Sequence, residues 1–219
     1  MHETAAFGVG FVAMQTGRNR APSRRRFTLM MMASALFAFV ATGARAAELD
    51  GVQIPDTVQA GGKVLHLNGF GLRTYSVLRF HIYIAALYLE HPSANPEAIL
   101  SSSQTKLLTV NFLHDVSADR ERKAWQMGFA KNCLPPSCRL DPVEVATFLD
   151  HVPDARAGDR FSLLFDTHGA SVNMDGQPLG VVSHREFAEV MLATFLGPNP
   201  GSHRLKRELL EGQAAQAHQ

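Results

Sequence analysis

No Walker-type phosphate loop, dinucleotide-binding glycine fingerprint or HExxH zinc motif occurs in this sequence, so the commonest routes to nucleotide and zinc chemistry have no support in it. Internal repeats are also lacking. Only two cysteines are present, Cys133 and Cys138, and no nearby Cys–His constellation completes a metal site around them. Charge is sparse: 19% of the residues are charged against 46% hydrophobic, with a formal net charge of +1, the composition of a soluble globular chain and not of a disordered or coiled-coil one. The main apolar run, from Thr28 to Gly43, falls short of the roughly 20 residues of a membrane span and is followed at once by Arg45. The histidines are scattered. Ser183-His184 beside Glu186 lacks the strained turn and the separated acid that a serine hydrolase needs.

What the N-terminus does hold is an ordered signal. Arg24-Arg25-Arg26-Phe27, the apolar run and the small-residue site Ala44-Arg45-Ala46 follow one another as in an export signal, and the arginines resemble a twin-arginine one. Residues 1–46 are therefore expected to be removed, leaving residues 47–219 as one exported, periplasmic domain that meets a membrane only during export. Six of the 21 basic and one of the 20 acidic residues lie in this leader, so the remainder carries 15 basic against 19 acidic groups. The only basic cluster leaves with the leader, and nucleic acid is not an expected partner.

The organising stretch is Val64 to Glu90. From Leu78 to Leu89 almost nothing prefers water, β-branched and aromatic residues dominate, and Gly and Pro are missing, which predicts a strand covered on both faces. Phe80, Ile82, Ile84, Ala86 and Tyr88 alternate with His81, Tyr83, Ala85, Leu87 and Leu89. Upstream, Asn68, Gly69 and Gly71 break the pattern and bring Arg73 toward the mouth of whatever the strand lines.

Around it the pattern predicts short strands before the Gly61-Gly62 turn, a short helix opened by Pro96, and a strand over Lys106–Leu113. A helix is expected over Ala118–Asn132, with Glu121, Ala124, Trp125, Gly128 and Phe129 at helical spacing and Arg120, Arg122 and Lys123 on its solvated face. Another opens at Asp141-Pro142, followed by a hairpin within Asp159–Asp175 and a strand over Leu179–Val182. Ser183 with Glu186 predicts a capping box for a helix over Arg185–Leu196, and Ser202–Glu211 a short basic helix with a solvated face. In an exported chain, Cys133 and Cys138 across four residues favour a structural disulfide, with two free thiols or a redox pair as the alternatives.

Leu67–Glu90, LNGFGLRTYSVLRFHIYIAALYLE, resembles the signature of chalcone isomerase-like proteins, particularly their exported bacterial branch. The likeness continues through KLLTVNFLHDVSADRERKAW, GASVNMDGQPLG and the helix ending at Phe195-Leu196-Gly197. It implies an α+β fold, an open-faced β-sandwich in which a large curved antiparallel sheet packs against a layer of helices, with a ligand cleft between them. Catalytic members close a flavanone ring without metal or organic cofactor, and none is expected here.

The family arginine corresponds to Arg73, and Tyr83 stands where the family has a threonine. Helix positions that carry Tyr and Asn in plant enzymes fall near Arg120 and Met127, and a late Thr or Ser contact falls near Arg185. Losing several polar contacts together argues against chalcone chemistry. Other members bind fatty acids, with the arginine and a tyrosine on the carboxylate. That implies a non-catalytic binding protein for a fatty acid or similar amphipathic acid, with Arg73 and Tyr83 as clamp and His81, Phe112, Trp125, Met127, Arg185, Phe187 and Met191 about the ligand. An intramolecular lyase or isomerase using Arg73 and Tyr83 on an enone-like substrate is the alternative, and an interaction protein with a filled cleft a third.

Overall fold

Seven strands follow one another as an antiparallel meander, each paired with the next: β3 (Thr57–Ala60), β4 (Lys63–Tyr75), β5 (Phe80–Leu89), β6 (Lys106–Phe112), β7 (Arg160–Asp166), β8 (Gly169–Met174) and β9 (Gln177–Val182). The computed structural model describes residues 46–75 and 80–211, so the expected leader up to residue 45, residues 76–79 of the organising stretch, and the C-terminal tail lie outside the described residues. A separate ribbon of β1 (Ala46–Leu49) and β2 (Val52–Pro55) covers one face of the sheet. The other face carries the helices α1 (Pro96–Ser101), α2 (Ala118–Asn132), α3 (Pro142–Asp150), α4 (Arg185–Leu196) and α5 (His203–Leu210). This is the α+β open-faced sandwich expected.

β5 divides the core in two, as its alternation predicts. Ile84, Ala86 and Tyr88 join Ile54, Leu65 and Leu67 beneath the ribbon, while Ala85, Leu87 and Leu89 pack with the helices. Tyr88 is buried, and loss of hydration pushes its phenol up to about 12, with Arg160 opposing and Asp56 adding to the shift.

Helix ends are tied across the chain as well as locally. Asn95, Asp141 and Ser202 cap α1, α3 and α5 through their own side chains. Ser117 is the N-cap residue of α2 but makes no side-chain cap; Asp154 Oδ1 accepts from the Ala118 N–H at 2.7 Å. The expected Ser183–Glu186 capping box is not formed. His184 is the N-cap residue of α4, and Glu144 of α3 accepts from the N–H groups of Ser183 and His184 and sits 2.6 Å from the His184 ring. Arg122, expected on a solvated face, turns inward and donates to the carbonyls of Leu149 and Val152 at the end of α3, both at 3.0 Å. The disulfide is present: Cys133 and Cys138, with Cα atoms 5.0 Å apart, close the turn between α2 and α3.

The glycine-rich part of β4 is the seat of α5. An extra residue in β4 between the pairs Leu67–Tyr88 and Gly69–Leu87 leaves Asn68 buried, donating to the Leu209 carbonyl at 2.8 Å and accepting from the Ser93 N–H. Beside it, Glu208 accepts from the Leu72 N–H, and Leu205 and Leu209 enter the helix-side core. The basic helix therefore has a buried apolar edge, and its basic residues occupy only the other side.

Candidate ligand site

Gly69, Gly71 and Arg73 alternate along one face of β4, the face on which α5 lies. α5 covers the two glycines, and Arg73, next in the row, is half-buried. Across the ladder Arg73 pairs with Tyr83, and Tyr83 in turn with Phe112. The three side chains thus form a row across β4, β5 and β6 under the helix layer, with the Tyr83 and Phe112 rings edge to face at 6.0 Å.

A bulge ends that row. Arg73 pairs with Tyr83 but Thr74 with His81, so Ile82 is the extra residue. Its carbonyl accepts from the Leu113 N–H at 2.9 Å, and its side chain joins Tyr83 on the helix-side core. Simple alternation had put His81 beside Tyr83. The bulge breaks that parity, and the exposed His81 ring lies 2.6 Å from Asp50 Oδ2 in the β1–β2 turn, away from Arg73.

On α2, Glu121 lies within electrostatic reach of the row. It is one turn before Trp125 and two before Phe129, both buried, so the inward stripe of α2 begins with a carboxyl. Glu121 is partly buried, and burial raises its pKa above the ordinary glutamate value, with Arg73 pulling the other way. Burial also pushes the Tyr83 phenol well above the usual tyrosine range; Arg73 lowers it and Glu121 raises it further. Tyr83 is therefore a hydrogen-bond donor at any physiological pH. Among the described residues, neither the Arg73 guanidinium nor the Glu121 carboxyl makes a hydrogen bond or ion pair, although each lies in the field of the other. A cation, a phenol and a carboxyl therefore act on one another's charge where β4, β5 and α2 meet.

The other expected residues divide. Phe112, Trp125, Phe187 and Met191 are all buried in the helix-side core, Trp125 within 5.3 Å of Phe148 and 5.6 Å of Phe129 by ring centres. They form the packed floor and roof beside the polar row, not an open cleft. Met127 is 59% exposed because Trp125 and Phe129 take the inner face of α2. Arg185 lies at the far end of the sheet, bound to Glu189 and to the Ser101 carbonyl beside Lys106. The six residues from Lys106 to Phe112 put it about 20 Å from the Tyr83 row. Neither Met127 nor Arg185 joins the Arg73 group.

Two cavities open elsewhere. One of about 90 Å³ lies between α3 and β7–β9, lined by Phe148, Val152, Phe161, Val172 and Leu179 among others; the second, about 20 Å³, adjoins Lys106 and Arg185. Arg73 and Tyr83 line neither. Among the described residues no group of three or more His, Cys, Asp and Glu converges to hold a metal ion, and no helix is long and apolar enough to cross a membrane.

Glu121 is the site residue that sequence reasoning passed over. Its signal was legible: a charged residue at the i−4 and i−8 positions of a buried Trp and Phe breaks an otherwise apolar stripe.

A helix layer closed over one face of a curved antiparallel meander, with a polar row where β4, β5 and α2 meet, defines a class of α+β sheet-and-helix proteins. The chain belongs to the chalcone isomerase-like family, whose model matches residues 46–211. Among solved structures it resembles the fatty-acid binding protein of Arabidopsis thaliana, with a TM-score of 0.64 and 14% identity over 80% of this chain and 100% of that one. At that identity the likeness is one of fold. No curated protein matches the sequence.

Proposed function

We propose that this is an exported, non-catalytic binding protein for a fatty acid or similar small amphipathic acid, held at its head by Arg73 and Tyr83. The observation that carries the reading is the cross-strand pairing of a protonated phenol with a guanidinium that has no hydrogen-bond partner among the described residues. Guanidinium and phenol together supply the fork and the extra donor that a carboxylate takes up. The resemblance in fold to a fatty-acid binding protein supports it. The Cys133–Cys138 disulfide and the basic, apolar and small-residue order of the N-terminus support work outside the cytoplasm.

The apolar surroundings of Arg73 are closely packed, so the ligand's chain has to open a path beside α2. The same Arg73–Tyr83 pair would stabilise an oxyanion, which keeps an isomerase or lyase acting on an enone-like substrate as the second reading.

Native mass spectrometry of the protein recovered from its export compartment, with extraction and identification of bound molecules, tests the proposal. A bound fatty acid is expected, lost in Arg73→Ala. Recovery of an empty protein, or retention of the acid by the variant, overturns it; turnover of an enone without retention of any acid favours the enzyme.

A further inference from the structure

Gly180 is a strand glycine that the fold itself does not require. It lies in β9 opposite Val172, on the face that also carries Ala170 and Val182 into the helix-side core. Its backbone is not in the left-handed region, and the extra residue of the β8–β9 ladder is its neighbour Leu179. A methyl group built on it would meet no atom within 4 Å. Among the described residues the other strand glycines are Gly69, Gly71 and Gly169, where a methyl group would clash with backbone or with the Glu208 side chain. Glycine weakens a strand interior; where neither a turn nor packing asks for it, the close approach of a ligand is a recurrent reason for its presence.

Gly180 lines the cavity of about 90 Å³ under α3 and leaves it unfilled. The floor is apolar and buried, formed by Phe148, Val152, Phe161, Val172 and Val182. Thr147 and His151 of α3 and Gly180 of β9 stand at its exposed mouth. A closed apolar void of about 150 Å³ accommodates benzene. This one is smaller but opens to solvent, so a six-membered ring can enter with one edge at the mouth.

The chemistry of that mouth is narrow. His151 Nδ1 lies 2.7 Å from the Thr147 carbonyl, which only accepts, so Nδ1 carries the hydrogen. Nε2 is left without a partner among the described residues, and a hydroxyl group can donate to it in the neutral ring. Glu144, the one acid of the lining, is occupied by the N–H groups of Ser183 and His184 and by the His184 ring. No Lys or Arg among the described residues lines the cavity, so a carboxylate there would meet Glu144 without a counter-charge.

We propose that the cavity between α3 and β7–β9 is a second binding site, separate from the Arg73–Tyr83 row, for a compact, uncharged, apolar molecule of the size of phenol that carries one hydroxyl group. Its apolar body rests on Phe148, Phe161 and Val172 in the space that Gly180 leaves, and its hydroxyl meets His151.

Titration of the full chain with phenol, toluene and benzoate, followed by backbone amide shifts and by the emission of Trp125, tests this. Trp125 is the single tryptophan and adjoins the cavity floor through Phe148 and Phe161, with ring centres 5.3 and 6.3 Å away. Phenol is expected to shift the amides of α3 and β9 around Gly180 and to change that emission; benzoate should leave those amides in place. Gly180→Val is expected to abolish the phenol response while melting no lower, since the new side chain enters open space. His151→Ala should weaken phenol about threefold to tenfold and leave toluene within about twofold of its former affinity. Phenol without effect on α3 and β9, phenol binding retained in Gly180→Val, benzoate held there as well as phenol, or equal losses for phenol and toluene in His151→Ala would each overturn the proposal. The amide shifts of the unaltered chain decide the matter even if neither variant folds, and none of these results bears on the carrier reading.

Discussion

A methyl group added at Gly69 would sit 2.4 Å from the Glu208 carbonyl oxygen and 2.6 Å from that of Leu209, whereas one at Gly71 would meet chiefly the Glu208 side chain, at 2.2 Å from Oε2. Neither clash is relieved without moving α5, because the methyl at Gly71 also lies 2.6 Å from Glu208 Cβ, which side-chain rotation leaves in place. Gly69→Ala and Gly71→Ala are therefore each expected to cost about 3 kcal/mol, measured by urea unfolding. A negligible cost at either position would show that α5 is not held where these contacts place it. The interruption of the strand pattern at Asn68, Gly69 and Gly71 was legible in the sequence, and so was Arg73 as the next position of interest. The cause was not. The glycines make room for a helix more than 130 residues further along, and nothing local in the sequence names that partner. His81 failed for a related reason: a strand's alternation is readable, but the single extra residue Ile82 that reverses it is fixed by pairing with β4 and by the Leu113 N–H.

At the scale of elements, the ranges expected for α2 and α4 coincide with the observed Ala118–Asn132 and Arg185–Leu196, because periodicity and flanking breakers are local signals. The capping box expected for α4 is not formed because the group that satisfies its start comes from elsewhere. α3 is the hub of this exchange, giving Glu144 to the start of α4 and receiving Arg122 from α2 at its own end. A charged donor at a helix C-terminus satisfies orphan carbonyls and opposes the helix dipole. Arg122→Ala is expected to cost about 2 kcal/mol and to speed amide exchange at the C-terminal end of α3. Arg122→Lys should recover less than half of that loss, since one ammonium does not reproduce two donors at fixed separation. Full recovery by Lys would reduce the contact to simple charge. Because α3 also forms one wall of the cavity of about 90 Å³, its loosening should appear there first.

For the molecule as a whole, part of the meander follows from the order of elements, since strands joined by short turns, such as β7, β8 and β9, pair as neighbours. β6 and β7, by contrast, pair across the segment that holds α2 and α3. A strand apolar on both faces demands a layer on each. What the order of elements does not reveal is which late segment completes the first strands. α5 does so, closing the β4–β5 side of the sheet with Leu205 and Leu209, the latter wholly buried, and satisfying Asn68 and the Leu72 N–H. Burial of two leucines contributes about 4 kcal/mol, and the orphaned polar groups add to the loss. Against a typical total of roughly 5 to 15 kcal/mol, that is a large share. A chain ended after Gly201 is therefore expected to melt about 10 to 20 °C lower, or not to fold at all. Where it does fold, binding of the proposed acid at Arg73 should weaken in step with β4, because the row that positions the guanidinium is then uncovered at Gly69 and Gly71. An unchanged melting temperature would mean that α5 rests on a sheet already complete without it, and the glycine-rich signature would need another explanation than the close approach of the last helix.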